Sequence, residues 1–148
     1  MTLTAEPVTL RANPRQLISE KLFATLSKRL AESEGWELAH AERVMEQTLI
    51  FLKASADNPA LSLSPTIAVD PGWHTFILHT EDYAAWCEDV AGFFIHHRPI
   101  CNEDIMSGTA LARTVPAMLA TGYDVDMELW TVVEGKCHQC HATCVDSN

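Results

Sequence analysis

Basic residues and long apolar runs are both scarce in this sequence. Ten Lys and Arg stand against 20 Asp and Glu, which gives a formal net charge of -10. A nucleic-acid backbone would be repelled by this excess unless the few basic side chains were clustered. No segment approaches the roughly 18 apolar residues that a membrane-spanning helix needs. These absences predict a protein that binds neither nucleic acid nor a membrane.

Targeting signals and common catalytic signatures are also missing. The N-terminal segment MTLTAEPVTL lacks the basic start and apolar run of a secretory signal, which predicts a cytoplasmic location. The chain contains no glycine-rich phosphate loop, no Gly-x-Ser-x-Gly turn and no His-Glu-x-x-His metalloprotease motif. The sequence therefore belongs to no enzyme class that these motifs would mark, and whether it is an enzyme stays open.

Helical periodicity dominates the chain up to its C-terminal tail. With 148 residues, of which 47% are hydrophobic, the chain is long enough for one domain with a sizeable core. Caps and apolar steps of three and four residues predict helical segments at 14–32, 36–54, 73–79, 83–91, 107–122 with a kink or boundary at Pro116, and 126–133. A long connector is predicted over 54–71 and an extended run over 93–97. No alternating segment is long enough for a sheet. We expect an all-α, single-domain bundle of about five or six helices over residues 1–133, followed by a separate tail over 134–148.

The tail carries the strongest chemical signal. Its segment CHQCHATC holds Cys137, His138, Cys140, His141 and Cys144. Reducing compartments keep thiols free, so clustered cysteines in a cytoplasmic protein bind metal more often than they form disulfides. Thiolate and imidazole are ligands that zinc prefers, and this group is sufficient for a four-coordinate site. The tail therefore predicts zinc, although copper or iron would accept the same types of ligand.

Two other interpretations of the tail stay open. The pattern Cys-x-x-Cys-His at 137–141 is typical of c-type haem attachment, with Cys137 and Cys140 as thioether sites and His141 as axial ligand. This attachment takes place outside the cytoplasm, so the missing export signal argues against it. Alternatively, the tail binds no metal and is modified by a partner enzyme that recognises the helical body.

A second group of candidate ligands lies in the centre of the chain, within VDPGWHTFILHTEDYAAWCEDVAGFFIHHRP. These residues are His74, His79, Cys87, His96 and His97. In one interpretation the Asp70 carboxylate orients a metal-bound His74. In the other, Asp70 and His74 are a hydrogen-bonded pair beside a packed Trp73, and the whole stretch serves folding.

Spacing limits how the central residues can combine. Residues five apart on one helix point about 140° away from each other, so His74 and His79 converge only if the helix breaks between them. Cys87 and His79 would form a nucleophile and its base if they lay within hydrogen-bond reach. Core packing is the simpler role for Cys87, because cysteine is among the most commonly buried residues.

The central pattern also resembles the signature of the glycine-rich domain-containing protein-like family. The resemblance is carried by Asp70, Trp73, His74, Tyr83 and Cys87 at their spacings, and FIHHRP looks like the segment that bacterial members carry next. It covers about residues 15–133 and implies a compact helical fold, but no reaction, since that family is largely of unassigned function. The chain departs from plant members in having only six Gly and no glycine-rich tail.

Three classes of function follow from these residues. The first is a small cytoplasmic metal-binding protein that uses the tail and is accessory to a pathway. The second is a metalloenzyme whose site joins the central histidines to the tail. The third is a partner or substrate protein whose cysteine tail is modified. If the body supplies one ligand, His74 or His96 is the expected donor; a protein partner or pathway enzyme is compatible with each class, and the sequence does not specify the oligomeric state.

Overall fold

The computed structural model describes residues 12–98 and 109–131. Five α-helices lie in these ranges: α1 (Glu20–Glu34), α2 (Leu38–Asp57), α3 (Asp70–Leu78), α4 (Thr80–Trp86) and α5 (Thr109–Leu119). Short 3-10 helices at Pro14–Leu17 and Met127–Trp130 and a π-helical turn at Cys87–Ala91 complete the set. Within the described ranges there is no strand, so the all-α prediction is confirmed. The tail over 134–148 lies outside these ranges, and the boundary at residue 133 stays a prediction.

The first predicted helix is two helices in the structure. Asn13 caps the short 3-10 helix by accepting a hydrogen bond from the Arg15 amide, and Ile18 then adopts an extended conformation that interrupts the helix. Ser19 caps α1 by accepting a hydrogen bond from the Leu22 amide at 3.1 Å. The helix ends at Gly35, whose φ of 69° is the left-handed conformation that glycine adopts at little cost.

Helix α2 is the centre of the fold. It packs against α1, α3 and α5, and its side chains from Leu49 to Leu52 are all fully buried. Four consecutive apolar residues point to different sides of a helix, and such a helix is stable only when other elements pack around it. The apolar run Leu-Ile-Phe-Leu in α2 therefore determines that the remaining helices assemble around this one.

The start of α3 lies unusually close to α2. A Cβ atom added to Gly72 would lie 2.1 Å from Oγ1 of Thr48 and 3.1 Å from a methyl group of Val44. Only a residue without a side chain permits this approach. Gly72 thus allows the first turn of α3, with Asp70 and Trp73, to press against the core helix.

Helix α4 continues into the π-helical turn, which ends at Gly92 with a φ of 79°. Residues 94–98 then follow with no regular structure and return towards α3. The extended run that the sequence predicts over 93–97 corresponds to this segment. Among the helices that the structure describes, none is long and apolar enough to cross a membrane.

The C-terminal end of the described chain is attached to α2 by one buried amide. Oε1 of Gln47 accepts hydrogen bonds from the Asp126 amide at 3.1 Å and from Nε1 of Trp130 at 3.0 Å. Arg43 adds an ion pair to the Asp126 carboxylate at 2.7 Å. These contacts hold the short Met127–Trp130 helix against α2.

Candidate metal centre

Asp70 is fully buried, with no exposed side-chain surface. It is the first residue of α3, and its amide donates a hydrogen bond to the Thr66 carbonyl at 2.8 Å. Its Oδ1 lies 2.7 Å from Nε2 of His97. Its Oδ2 has no hydrogen-bond partner within the described part of the chain. One oxygen of this buried carboxylate therefore has no hydrogen bond.

His74 lies on the same face of α3, one turn after Asp70, because residues four apart on a helix are neighbours. Its Nε2 is 3.1 Å from Oδ2 of Asp70, close enough for an ion pair although the arrangement does not meet hydrogen-bond geometry. The side chain is 49% exposed. The His74 side chain is thus half open to solvent, whereas the Asp70 carboxylate beside it is not.

His97 reaches the same carboxylate from the irregular segment. Its side chain is only 6% exposed, and its ring contacts those of Trp73 and His74, with centroid distances of 4.2 Å and 4.4 Å. One ligand atom from each of Asp70, His74 and His97 lies within 4.8 Å of the other two. We call these three residues the triad.

Tyr83 connects α4 to the segment that carries His97. Nε1 of Trp73 donates a hydrogen bond to the Tyr83 hydroxyl at 3.0 Å, and this hydroxyl donates one to the Ile95 carbonyl. Burial raises the pKa of Tyr83 above its ordinary value, with the Trp73 hydrogen bond acting in the opposite direction. Tyr83 is thus a neutral donor that holds the backbone two residues before His97.

The other central candidates lie elsewhere. The Nδ1 atom of His79 is 3.0 Å from the Thr75 carbonyl, so this ring bonds to the backbone of the preceding turn, in α3. His96 is exposed and packs its ring against Phe94 at 4.8 Å. Cys87 is 1% exposed and lies in the core. The cluster of ligand atoms in the described structure contains none of these three residues.

The tail candidates Cys137, His138, Cys140, His141 and Cys144 lie outside the described residues. Their assignment as ligands stays a prediction.

The structure adds detail to two of the central candidates. One sequence interpretation has Asp70 orienting a metal-bound His74, and in the structure the Asp70 carboxylate is itself one of the three groups that could hold an ion. His97 was one of two adjacent histidines, and a signal to choose between them existed. Successive residues of an extended chain point to opposite faces, so the apolar Ile95 indicates that His97, two residues later, faces inward with it. The structure has both side chains largely buried and His96 exposed.

The electrostatics of the triad favour a cation. Burying an isolated carboxylate is costly unless it is paired and hydrogen-bonded. Asp70 has one hydrogen bond from His97 and the favourable end of the α3 dipole, a contribution of about 0.3–1 kcal/mol at exposed sites. Two imidazole nitrogens also converge on this carboxylate. The set of one carboxylate oxygen and two imidazole nitrogens is a combination that divalent transition metals accept.

Comparison with known proteins places the chain in a family. The model of the UCP032817-like family matches residues 14–111, so the chain belongs to this family, which has no assigned biochemical activity. No curated protein and no solved structure shows significant similarity to the chain. The match includes all three residues of the triad and ends before the tail.

The resemblance to the glycine-rich domain-containing protein-like family was wrong, since the family match is to a different family. The residues that suggested it have local physical roles. Trp73 and Tyr83 share a buried hydrogen bond, Cys87 fills the core, and Asp70 and His74 are adjacent on one helical turn. A few residues at such spacings meet the needs of packing and of this cluster, and so they are a weak indicator of ancestry.

Proposed function

We propose that this protein binds one divalent transition-metal ion at the triad of Asp70, His74 and His97. The observation that carries the proposal is the fully buried Asp70 carboxylate, whose Oδ2 lacks a hydrogen bond while two imidazole nitrogens lie beside it. A divalent ion would supply the positive charge that this carboxylate needs. It would also accept a lone pair from each imidazole, once the Nε2 proton that His97 donates to Asp70 has moved to Nδ1.

The distances suit such an ion after small side-chain shifts. Zinc binds imidazole nitrogen and carboxylate oxygen at about 2.0–2.2 Å, which separates neighbouring ligand atoms of a tetrahedral site by roughly 3.3 Å. Oδ1 of Asp70 lies 2.7 Å from Nε2 of His97, and Oδ2 lies 3.1 Å from Nε2 of His74. One candidate ligand atom from each residue lies within 4.8 Å of the other two, so small side-chain movements would bring the three to the separations of a zinc site.

Zinc is the metal that we propose for the triad. It commonly takes three nitrogen and oxygen ligands from protein and one further ligand. Iron(II) also binds two histidines and one carboxylate, whereas copper(I) prefers sulfur ligands, which the triad lacks. The proposed role is that of a metal-binding protein accessory to a pathway.

A metalloenzyme is the second candidate, and the exposure of His74 favours it. Because this ligand is 49% exposed, an ion at the triad would have a side that solvent can reach. Catalytic zinc sites have three protein ligands and a water molecule in the fourth position. The identity of the fourth ligand therefore separates the accessory role from the catalytic one.

The test is metal content after purification without a metal-affinity tag and after dialysis against zinc. Every variant carries serine at Cys137, Cys140 and Cys144, so that tail thiolates do not contribute. We expect one zinc per chain in this background and almost none after Asp70→Asn or His97→Gln. His79→Gln is the matched control, because His79 lies outside the triad, and it should retain the ion. Equal zinc in all four proteins would refute the proposal.

A further inference from the structure

We infer that the ion at the triad binds a small carboxylate from solution at its open position, and that this carboxylate carries an apolar group. The inference rests on the proposed function, and it names the class of ligand that the site takes. The charge of the triad, the exposure of His74 and an exposed Leu78 one helical turn away support it.

The charge of the triad favours a ligand with one negative charge. A divalent ion bound to the Asp70 carboxylate and two neutral histidines has a net charge of plus one. A monoanion in the remaining position makes the whole site neutral, which is the least costly charge to hold against the fully buried Asp70. A dianion would leave the site negative within a chain whose formal net charge is already -10. The triad therefore selects a monoanion.

Carboxylate is the monoanion that binds at the least cost near neutral pH. A carboxyl group with a pKa of about 4 is already ionised there, whereas a thiol with a pKa of about 8.5 must first lose its proton. Zinc accepts carboxylate oxygen at about 2.0–2.2 Å. On binding, one carboxylate oxygen forms a bond to the ion and the water molecule at that position leaves. No proton is transferred in this exchange, and no atom changes its oxidation state.

Solvent reaches the triad on the side of His74. Within the described ranges, no fourth His, Cys, Asp or Glu side chain joins the cluster of ligand atoms. Asp70 and His97 are almost fully buried, whereas the side chain of His74 is half-exposed. A ligand dissolved in water therefore approaches the ion past His74.

Exposed apolar side chains lie on the elements that carry both histidines. Leu78 follows His74 by one helical turn on the same face of α3, and it is 78% exposed. Side chains on a helix lean towards its N-terminus, so Leu78 leans towards His74. The segment that carries His97 also presents an exposed ring, that of Phe94. A carboxylate with an apolar group would cover Leu78 while its oxygen binds the ion.

Titration of cobalt-loaded protein tests the inference, because the visible absorption of cobalt(II) changes when one of its ligands is exchanged. The protein is the full-length chain with serine at Cys137, Cys140 and Cys144, loaded with one cobalt ion. Phenylacetate should change the spectrum and reach saturation. Acetate, which lacks the ring, should do so with an affinity on the order of tenfold lower. Phenylacetamide, the neutral analogue, should leave the spectrum unchanged.

A variant at Leu78 tests the apolar contact. Leu78→Ser should weaken phenylacetate binding on the order of three- to tenfold and leave acetate binding unchanged. Because Leu78 is so exposed, this change carries little risk of misfolding. Leu119→Ser, at an exposed leucine of α5, is the matched control and should change neither affinity.

The outcomes separate failure of the inference from failure of the proposed function. One bound cobalt per chain with a spectrum that phenylacetate does not change overturns the inference only. A spectrum that phenylacetamide changes as strongly as phenylacetate also overturns it, because charge would then not select the ligand. Equal phenylacetate affinity in the Leu78→Ser and Leu119→Ser variants overturns the apolar contact. If the serine parent binds cobalt no better than its Asp70→Asn derivative, the proposed function itself is refuted.

Discussion

The Tyr83 hydroxyl donates a hydrogen bond to the Ile95 carbonyl at 2.5 Å, and this bond ties α4 to the segment that carries His97. Because residues 94–98 have no helix or strand of their own, such ties determine where His97 lies. The same hydroxyl accepts a hydrogen bond from Trp73, whose ring packs on His97. Trp73 and Tyr83 therefore position a ligand of the proposed site without touching the ion.

Tyr83→Phe should weaken zinc binding by more than a general loss of stability explains. The change leaves Nε1 of Trp73 and the Ile95 carbonyl without their partner, which costs about 1–3 kcal/mol of the free energy of unfolding. It also releases the segment before His97, so zinc affinity should fall about tenfold in protein that is still fully folded. Denaturant unfolding and zinc titration measure the two effects. Tyr123→Phe, at the other tyrosine of the chain, is the control; equal zinc affinity in all three proteins would refute a positioning role.

Alkaline pH should destabilise the protein through Tyr83. Burial raises the pKa of this phenol, so the folded state holds the proton more tightly than the unfolded state, whose tyrosine pKa is about 10. The stabilisation is complete below pH 10 and is lost as pH rises through the raised pKa. Unfolding midpoints measured from pH 8 to 11 should fall more steeply above about pH 10 for wild type than for Tyr83→Phe. Parallel curves for the two proteins would contradict this assignment.

Gly72→Ala should destabilise the fold and disturb the triad together. The new Cβ would meet Oγ1 of Thr48 at 2.1 Å, and overpacking of this kind typically costs about 1–3 kcal/mol. The first turn of α3 would have to move away from α2, and Asp70 would move with it. Thermal unfolding and zinc affinity should both show the change. Because Thr48→Ala removes the colliding oxygen, the double variant should recover part of the loss, and a strictly additive double variant would show that the collision is not the cause.

Trp73→Ala should be among the most damaging single substitutions in the centre. The side chain is 3% exposed, contacts Phe51 and His97, and donates to Tyr83. Loss of a buried Trp typically costs about 3–5 kcal/mol. Trp73→Phe keeps much of the packing but removes the hydrogen bond to Tyr83, so it should lie between wild type and alanine in denaturant unfolding. An alanine variant as stable as wild type would be inconsistent with this burial.

Local sequence determined which segments are helices. It also determined that Asp70 and His74 lie on one face of α3. Caps and apolar steps of three and four residues operate within one or two turns, so they predict helices without reference to the rest of the chain. The spacing of Asp70 and His74 places both on one face of any helix that contains them. Even so, the sequence did not reveal the break at Ile18, because the apolar steps continue across it while the Ser19 cap starts a new helix.

Alternation with the apolar Ile95 favours His97 over His96 as the inward-facing residue, but only the tertiary structure brings His97 beside Asp70 and His74 and leaves His79 elsewhere. This choice depends on contacts between distant segments: Gly72 against Thr48, Trp73 against His97, and Tyr83 with Ile95. No local pattern encodes such contacts, because each depends on the path of the intervening chain. The hydrogen bond from Thr66 to the Leu129 carbonyl has the same origin, since 63 positions separate these residues. The sequence by itself determined which candidate ligands the chain has, and the packing of α3 and of the segment that carries His97 decided which of the described ones lie together.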